Sequence, residues 1–199
     1  MQVVIVTDIF GRTSGPEQMV ECLSRQSVET IVIDPYRGIE NSFANEDDAY
    51  ASFITHCGHD HYAELVHQKL AGLEGPLLLV GFSVGASAIW RCLDSSIANK
   101  IHHFIGFYPG QIRNHLSLNP VCPTTLIFPK EENHFSVDDV MDTLNAKGAV
   151  NCHQVEALHG FMNVCSRNYS KDLAQEFYHH LADVELCLNP GIFQNWLIK

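Results

Sequence analysis

The sequence predicts an α/β protein: an open, mostly parallel central sheet with helices on both faces. Three observations predict it. Six short runs are nearly continuous in Val, Ile and Leu, as strands buried on both faces are. Longer amphipathic stretches alternate with these runs, as crossover helices must between parallel strands. No repeat, low-complexity tract or Pro/Gly/Ser-rich linker divides the 199 residues, so the chain reads as one domain without a large lid.

The expected strands cover residues 3–7, 30–34, 76–82, 101–108, 124–128 and 152–157. Helices are expected over 16–25, 47–73 (interrupted near Gly58), 85–94, 137–147 and 171–186. Pro16 suits a first helical turn, and Ser136 suits an N-cap ahead of the first-turn acids Asp138 and Asp139. Trp90, Phe104, Phe107 and Phe177 are expected in the core. In such a sheet ligands sit beyond the carboxyl ends of the strands, so chemistry is sought in the residues just after each strand.

Composition narrows the partners. A net charge of -11 with no Lys/Arg-rich run gives no footprint for a phosphate backbone, so nucleic acid is not expected. Residues 1–10 are apolar, but they lack a basic n-region and break at Asp8, so they read as a strand and not as a secretory signal. No stretch approaches the roughly 18 apolar residues of a membrane span. Seven scattered cysteines without CxxC pairing point to reduced thiols and a cytoplasmic location.

After the apolar run at 77–80 comes Gly81-Phe82-Ser83-Val84-Gly85, opening a helix. Gly-x-Ser-x-Gly between strand and helix is the pattern of a nucleophile held on a tight turn, its hydroxyl lifted above the sheet. The glycines allow close passage of neighbouring chain. The N–H of Val84 then lies at a helix start, where it can stabilise an oxyanion. The competing reading is a glycine-rich turn that only packs closely or cradles a phosphate. Downstream of the last expected strand, His159-Gly160-Phe161 supplies an imidazole able to reach back over the sheet edge and to take and return a proton at neutral pH. Any one of twelve histidines is more often surface or core than base; His159 stands out by position.

Together these residues resemble the dienelactone hydrolase family of α/β-hydrolases. Val6-Thr7-Asp8-Ile9-Phe10-Gly11 looks like its first-strand motif, and residues 81–86 match its nucleophile turn. Glu132-Asn133-His134-Phe135 resembles its acid loop, and His159-Gly160-Phe161 its histidine loop. The resemblance implies a compact α/β-hydrolase in which Ser83 attacks small esters, lactones or thioesters and His159 is the base. It implies that the N–H groups of Ile9 and Val84 form the oxyanion hole, and that Asp8 lies near the nucleophile as an accessory group. No cofactor and no metal is required.

Three departures stand out. Ser83 replaces the cysteine of the best-known members. Asn133 falls where the family has its aspartate; either Asn133 orients the imidazole without supplying charge, or Glu132 or Glu131 on the same loop substitutes. Exchanging aspartate for asparagine in a serine-protease triad costs about 10⁴ in kcat. Asn163 stands where those enzymes carry an arginine that binds a substrate carboxylate. The departure at Asn133 keeps a second reading open, a weakly active or inactive relative used as a binding module.

Other features are given plainer readings. Asp8 could instead cap backbone N–H groups at its strand end or pair with Arg12. His56-Cys57-Gly58-His59-Asp60-His61 has the residue types of a metal site but no second cluster with zinc spacing, and reads as a polar helix face. His102-His103 and His179-His180 are not expected to carry chemistry. The segment 189–196 contains a turn signal, and its apolar residues dock either on the body or on a second subunit, a homodimer being one of the two arrangements left open.

Overall fold

The computed structural model describes residues 1–93 and 96–198. Six strands, β1 (Gln2–Val6), β2 (Glu29–Ile33), β3 (Leu77–Phe82), β4 (Ile101–Phe107), β5 (Thr124–Pro129) and β6 (Val150–Val155), form one parallel sheet ordered β2-β1-β3-β4-β5-β6. Each lies within two residues of its expected bounds.

Alternate side chains feed two cores, because successive residues of a strand point to opposite faces. On one face Val4, Val6, Leu77, Leu79, Phe104 and Leu126 pack under α2 (Glu46–His56), α3 (Gly58–Ala71), α4 (Val84–Trp90) and α5 (Val137–Asn145). On the other, Val3, Ile5, Leu78, Val80, Ile105 and Ile127 meet α1 (Ser14–Arg25) and α6 (Lys171–Leu181), then α7 (Val184–Leu188) and α8 (Pro190–Leu197). Trp90, Phe104, Phe107 and Phe177 are all buried.

Helix boundaries depart from the periodicity where local chemistry intervenes. The interruption expected near Gly58 is present: α2 ends at His56 and α3 starts at Gly58, whose φ of 73° lies outside the helical range. α4 ends at Trp90; the expected end at Asp94 lies outside the described residues. The expected 171–186 helix divides because the Asp183 side chain accepts the Leu186 N–H at 3.1 Å and starts α7. The C-terminal segment docks on the body: Phe193 is buried and Trp196 stacks on His180 at 3.9 Å. Ser136 caps α5 as expected, accepting from Asp139 N–H. Among the described residues no helix is long and apolar enough to cross a membrane.

Strand order positions the site. β1 and β3 are neighbours although β2 separates them in sequence, so the chain leaves their carboxyl ends in opposite directions and opens a crevice. Val6 pairs with Gly81 in register, which sets Asp8 and Ile9 beside Ser83.

Candidate active site

Ser83 follows a strand buried along its whole length and takes φ 49°, ψ -114°, a conformation that costs a non-glycine residue about 1–3 kcal/mol. Surrounding packing enforces it. A Cβ on Gly81 would sit 2.7 Å from Ala86 Cα, and one on Gly85 would sit 2.4 Å from the Thr7 carbonyl oxygen. Both glycines are required by proximity of backbone, as neither has a positive φ. The Ser83 N–H donates to Phe107 O at 2.9 Å, and its carbonyl accepts from the Ser87 N–H and hydroxyl.

The loop after β6 brings His159 to this turn. Its Nε2 lies 2.9 Å from Ser83 Oγ, and its Nδ1 lies 2.7 Å from Glu132 Oε1. The carboxylate therefore fixes Nδ1 as the donor and leaves Nε2 to accept the serine proton. The Glu132 side chain is 11% exposed and the imidazole 36%, so the acid is sheltered while the base faces solvent. The His159 carbonyl is held by Asn168 Nδ2 at 2.9 Å, and the Tyr108 ring lies 4.9 Å from the imidazole centroid.

Asn133, the position matched to the family's acid, does not make this contact. Glu132 and Phe135 form an isolated antiparallel bridge, which closes a four-residue turn and leaves Asn133 and His134 exposed at its tip. The same bridge holds Glu132 inward. The three side chains joined by these hydrogen bonds thus occur in the chain order Ser83, Glu132, His159.

Val84 follows Ser83 directly, and Ile9 lies just beyond the carboxyl end of the neighbouring strand β1. Val84 is the first residue of α4, so its N–H has no intrahelical acceptor. Among the described residues neither N–H is engaged by a protein acceptor. The Ile9 carbonyl is fixed by the Tyr36 hydroxyl at 2.6 Å, and Tyr62 donates to Thr7 O at 3.0 Å.

Asp8 is buried and accepts at both oxygens: from Phe10 N–H at 3.0 Å and from Asn163 Nδ2 at 2.7 Å. Burial pushes its pKa up to about 6, opposed by those two hydrogen bonds and by His159. Arg12 is not its partner; that guanidinium pairs with Glu17 at 3.1 Å and Asp34 at 3.6 Å.

The histidines at 56–61 turn to separate partners. His56 Nδ1 bonds Ser52 O at 2.8 Å, His59 meets the Phe53 ring, and His61 lies 4.0 Å from Glu64. His103 is fully buried between Cys187 O at 2.7 Å and Thr125 Oγ1 at 2.9 Å, and burial lowers its pKa to about 4.

Several contributors escaped sequence reasoning. Gly110 faces the triad: a Cβ there would lie 3.6 Å from His159 Cε1 and 4.0 Å from Glu132 Oε1. Arg113 donates to Gly110 O and lies over the Phe135 ring, joining the loop after β4 to the acid loop. The turn signal Tyr108-Pro109-Gly110 after a strand could have pointed to this loop. Nothing local marks Tyr36 or Asn168.

No family model matches the chain. An uncharacterized protein of Bacillus subtilis (strain 168), YczH, is 27% identical over 178 residues, covering 86% of this chain and 85% of that protein. A dienelactone hydrolase-like promiscuous phosphotriesterase from metagenomic libraries superposes with a TM-score of 0.63 at 12% identity, covering 92% of this chain and 84% of its own. The fold is that of the α/β-hydrolases. Est1E from Butyrivibrio proteoclasticus, solved also with ferulic acid bound, superposes at 0.57 with 9% identity over 94% of this chain and 87% of its own. A CIB-like hydrolase from Thermoplasma acidophilum gives 0.62 at 12% identity, over 92% and 86% of the two chains.

Proposed function

We propose that this α/β-hydrolase-fold protein is a serine hydrolase that cleaves small carboxylic esters, lactones or thioesters through an acyl-enzyme on Ser83. One observation carries the reading: a continuous relay from Ser83 Oγ to His159 Nε2 (2.9 Å) and from His159 Nδ1 to Glu132 Oε1 (2.7 Å). Ser83 Oγ bonds to the substrate carbonyl carbon as His159 Nε2 takes its proton. The N–H groups of Ile9 and Val84 receive the oxyanion. Collapse of this intermediate breaks the bond to the alcohol or thiol, which leaves with the proton from His159. Water, losing a proton to the same imidazole, then attacks the acyl carbon, and collapse returns Ser83 and releases the acid. Glu132 holds the imidazole in the required tautomer and steadies the imidazolium.

The binding-module reading drew on an amide at the acid position; a carboxylate on His159 Nδ1 removes its support. Cys22, Cys57, Cys122, Cys152, Cys165 and Cys187 are thiols, which favours work in a reducing compartment such as the cytoplasm. A fluorophosphonate probe should modify the protein stoichiometrically at Ser83, read by intact mass and peptide mapping, and Ser83→Ala should abolish it. Folded protein that takes up no probe would rule the reading out.

A further inference from the structure

We propose that Asp8 is a positioning residue that registers the oxyanion donor Ile9 against the base His159, and that only its ionised form does so. The inference rests on the serine-hydrolase reading and deepens it. It begins with where the two carboxylate oxygens go. Oδ1 accepts from Phe10 N–H, closing a turn around Ile9 that Gly11 N–H also closes by donating to Asp8 O at 3.1 Å. With the Ile9 carbonyl held by Tyr36, the peptide groups on both sides of Ile9 are pinned. Oδ2 accepts from Asn163, four residues beyond His159 and bound into the same turn by its N–H on Gly160 O at 2.9 Å. One buried side chain thus ties the oxyanion loop to the histidine loop.

Both partners can act only as donors. Phe10 offers a backbone N–H. The Asn163 amide cannot flip without loss, because its Oδ1 already accepts the Cys165 N–H at 2.9 Å. A proton on Asp8 would make one oxygen a hydroxyl, a weaker acceptor whose own proton finds no acceptor in Phe10 N–H or Asn163 Nδ2, so the tie would loosen. The groups acting on Asp8 come from every side: Glu46 of α2, Tyr36 after β2, Tyr62 of α3, Tyr108 after β4, Tyr178 of α6, and Cys165 and His159 of the histidine loop. Burial, the largest influence, and Glu46 favour protonation of Asp8, while the hydrogen bonds from Asn163 and Phe10 and the proximity of His159 oppose it. Asp8 consequently releases its proton at about pH 6.

Two deprotonations then govern the acid limb. The rate of fluorophosphonate labelling at Ser83, and kcat/KM for p-nitrophenyl acetate, should fall below pH 6 with a limiting logarithmic slope near two. In Asp8→Asn the slope should drop to one, with kcat reduced about 10- to 100-fold at pH 7.5, the scale expected when reacting groups shift by about an ångström. The melting temperature at that pH should hold or rise, because a buried charge is removed. Asn163→Asp, which sets two carboxyls together, should move the acid limb upward by a unit or more. The exchange Asp8→Asn with Asn163→Asp keeps a donor facing an acceptor at each contact and should recover at least half of the wild-type rate. A wild-type slope of one that Asp8→Asn leaves unchanged overturns the inference while leaving the hydrolase reading intact. So does loss of activity in Asp8→Asn in step with a lower melting temperature and an unaltered pH profile. Absence of labelling at every pH overturns both.

Discussion

The turn that carries Ser83 and the loops that carry Glu132 and His159 meet at one point, yet different forces hold them. The serine turn is held by backbone against backbone: Gly81 lies against Ala86, and Gly85 against the carbonyls of Val6 and Thr7. The His159 loop is held by side-chain hydrogen bonds, Asn168 to the His159 carbonyl, Ser166 to Glu46 and Asn163 to Asp8, while the Glu132 loop is closed by its bridge to Phe135. A nucleophile in strained backbone needs a rigid mount, because about 1–3 kcal/mol would be recovered if the turn relaxed. In the proposed mechanism His159 must shift its hydrogen bond between serine, leaving group and water, and a mount of exchangeable polar contacts tolerates that.

The sharpest way to break this comparison lies on the loop side. Glu132→Gln leaves the side-chain volume but removes the charge that steadies the imidazolium, and should lower kcat by about 10⁴, as the equivalent exchange does in serine proteases. Asn133→Asp should change kcat less than about twofold, since Glu132 already holds Nδ1. Steady-state hydrolysis of p-nitrophenyl acetate distinguishes the two, and a large gain in Asn133→Asp would show that the acid loop rearranges.

Glycine substitution probes the mounts directly. Gly85→Ala forces a Cβ to within 2.4 Å of a backbone oxygen that cannot swing aside, and should cost about 3 kcal/mol of stability. Gly110→Ala places its Cβ at ordinary contact distance from His159 and should stay within about 0.5 kcal/mol. Urea unfolding compares them; equal costs would erase the proposed difference between backbone and side-chain mounting.

Smaller effects should appear in the pH dependence of stability, where the two buried groups oppose each other. Asp8 rises from 3.8 to about 6, so the folded state keeps a proton that the unfolded chain has lost. That stabilisation, about 3 kcal/mol, is complete below pH 3.8 and vanishes as pH climbs through 6. His103 falls from 6.5 to about 4, so its contribution, also about 3 kcal/mol, is complete above 6.5 and vanishes as pH drops through 4. Their slopes cancel between these limits and the wild type should be nearly flat there. His103→Asn should leave stability falling with rising pH from 4 to 6, and Asp8→Asn should leave it rising. Denaturant titrations at pH 4, 5, 6 and 7 test both signs.

Asp8 thus stabilises the fold only when protonated and forfeits about 3 kcal/mol once ionised, in the manner of a group kept for the site and not for stability.

The amino-acid order by itself determined the alternation of buried strands and amphipathic helices, because a two-faced sheet demands near-continuous apolar runs. It also determined the serine turn, because close backbone passage demands glycine at 81 and 85. Those requirements act within a few residues and leave a local mark. Only the tertiary structure decided which carboxylate meets His159, since Glu132 and Asn133 are adjacent and the Glu132–Phe135 bridge alone turns one inward and the other out. The break at Asp183, the partner of Asp8 and the Tyr36 contact were likewise settled in three dimensions. They depend on where one donor finds one acceptor after folding, and a contact between residues as far apart as Asp8 and Asn163 leaves no periodicity in the chain.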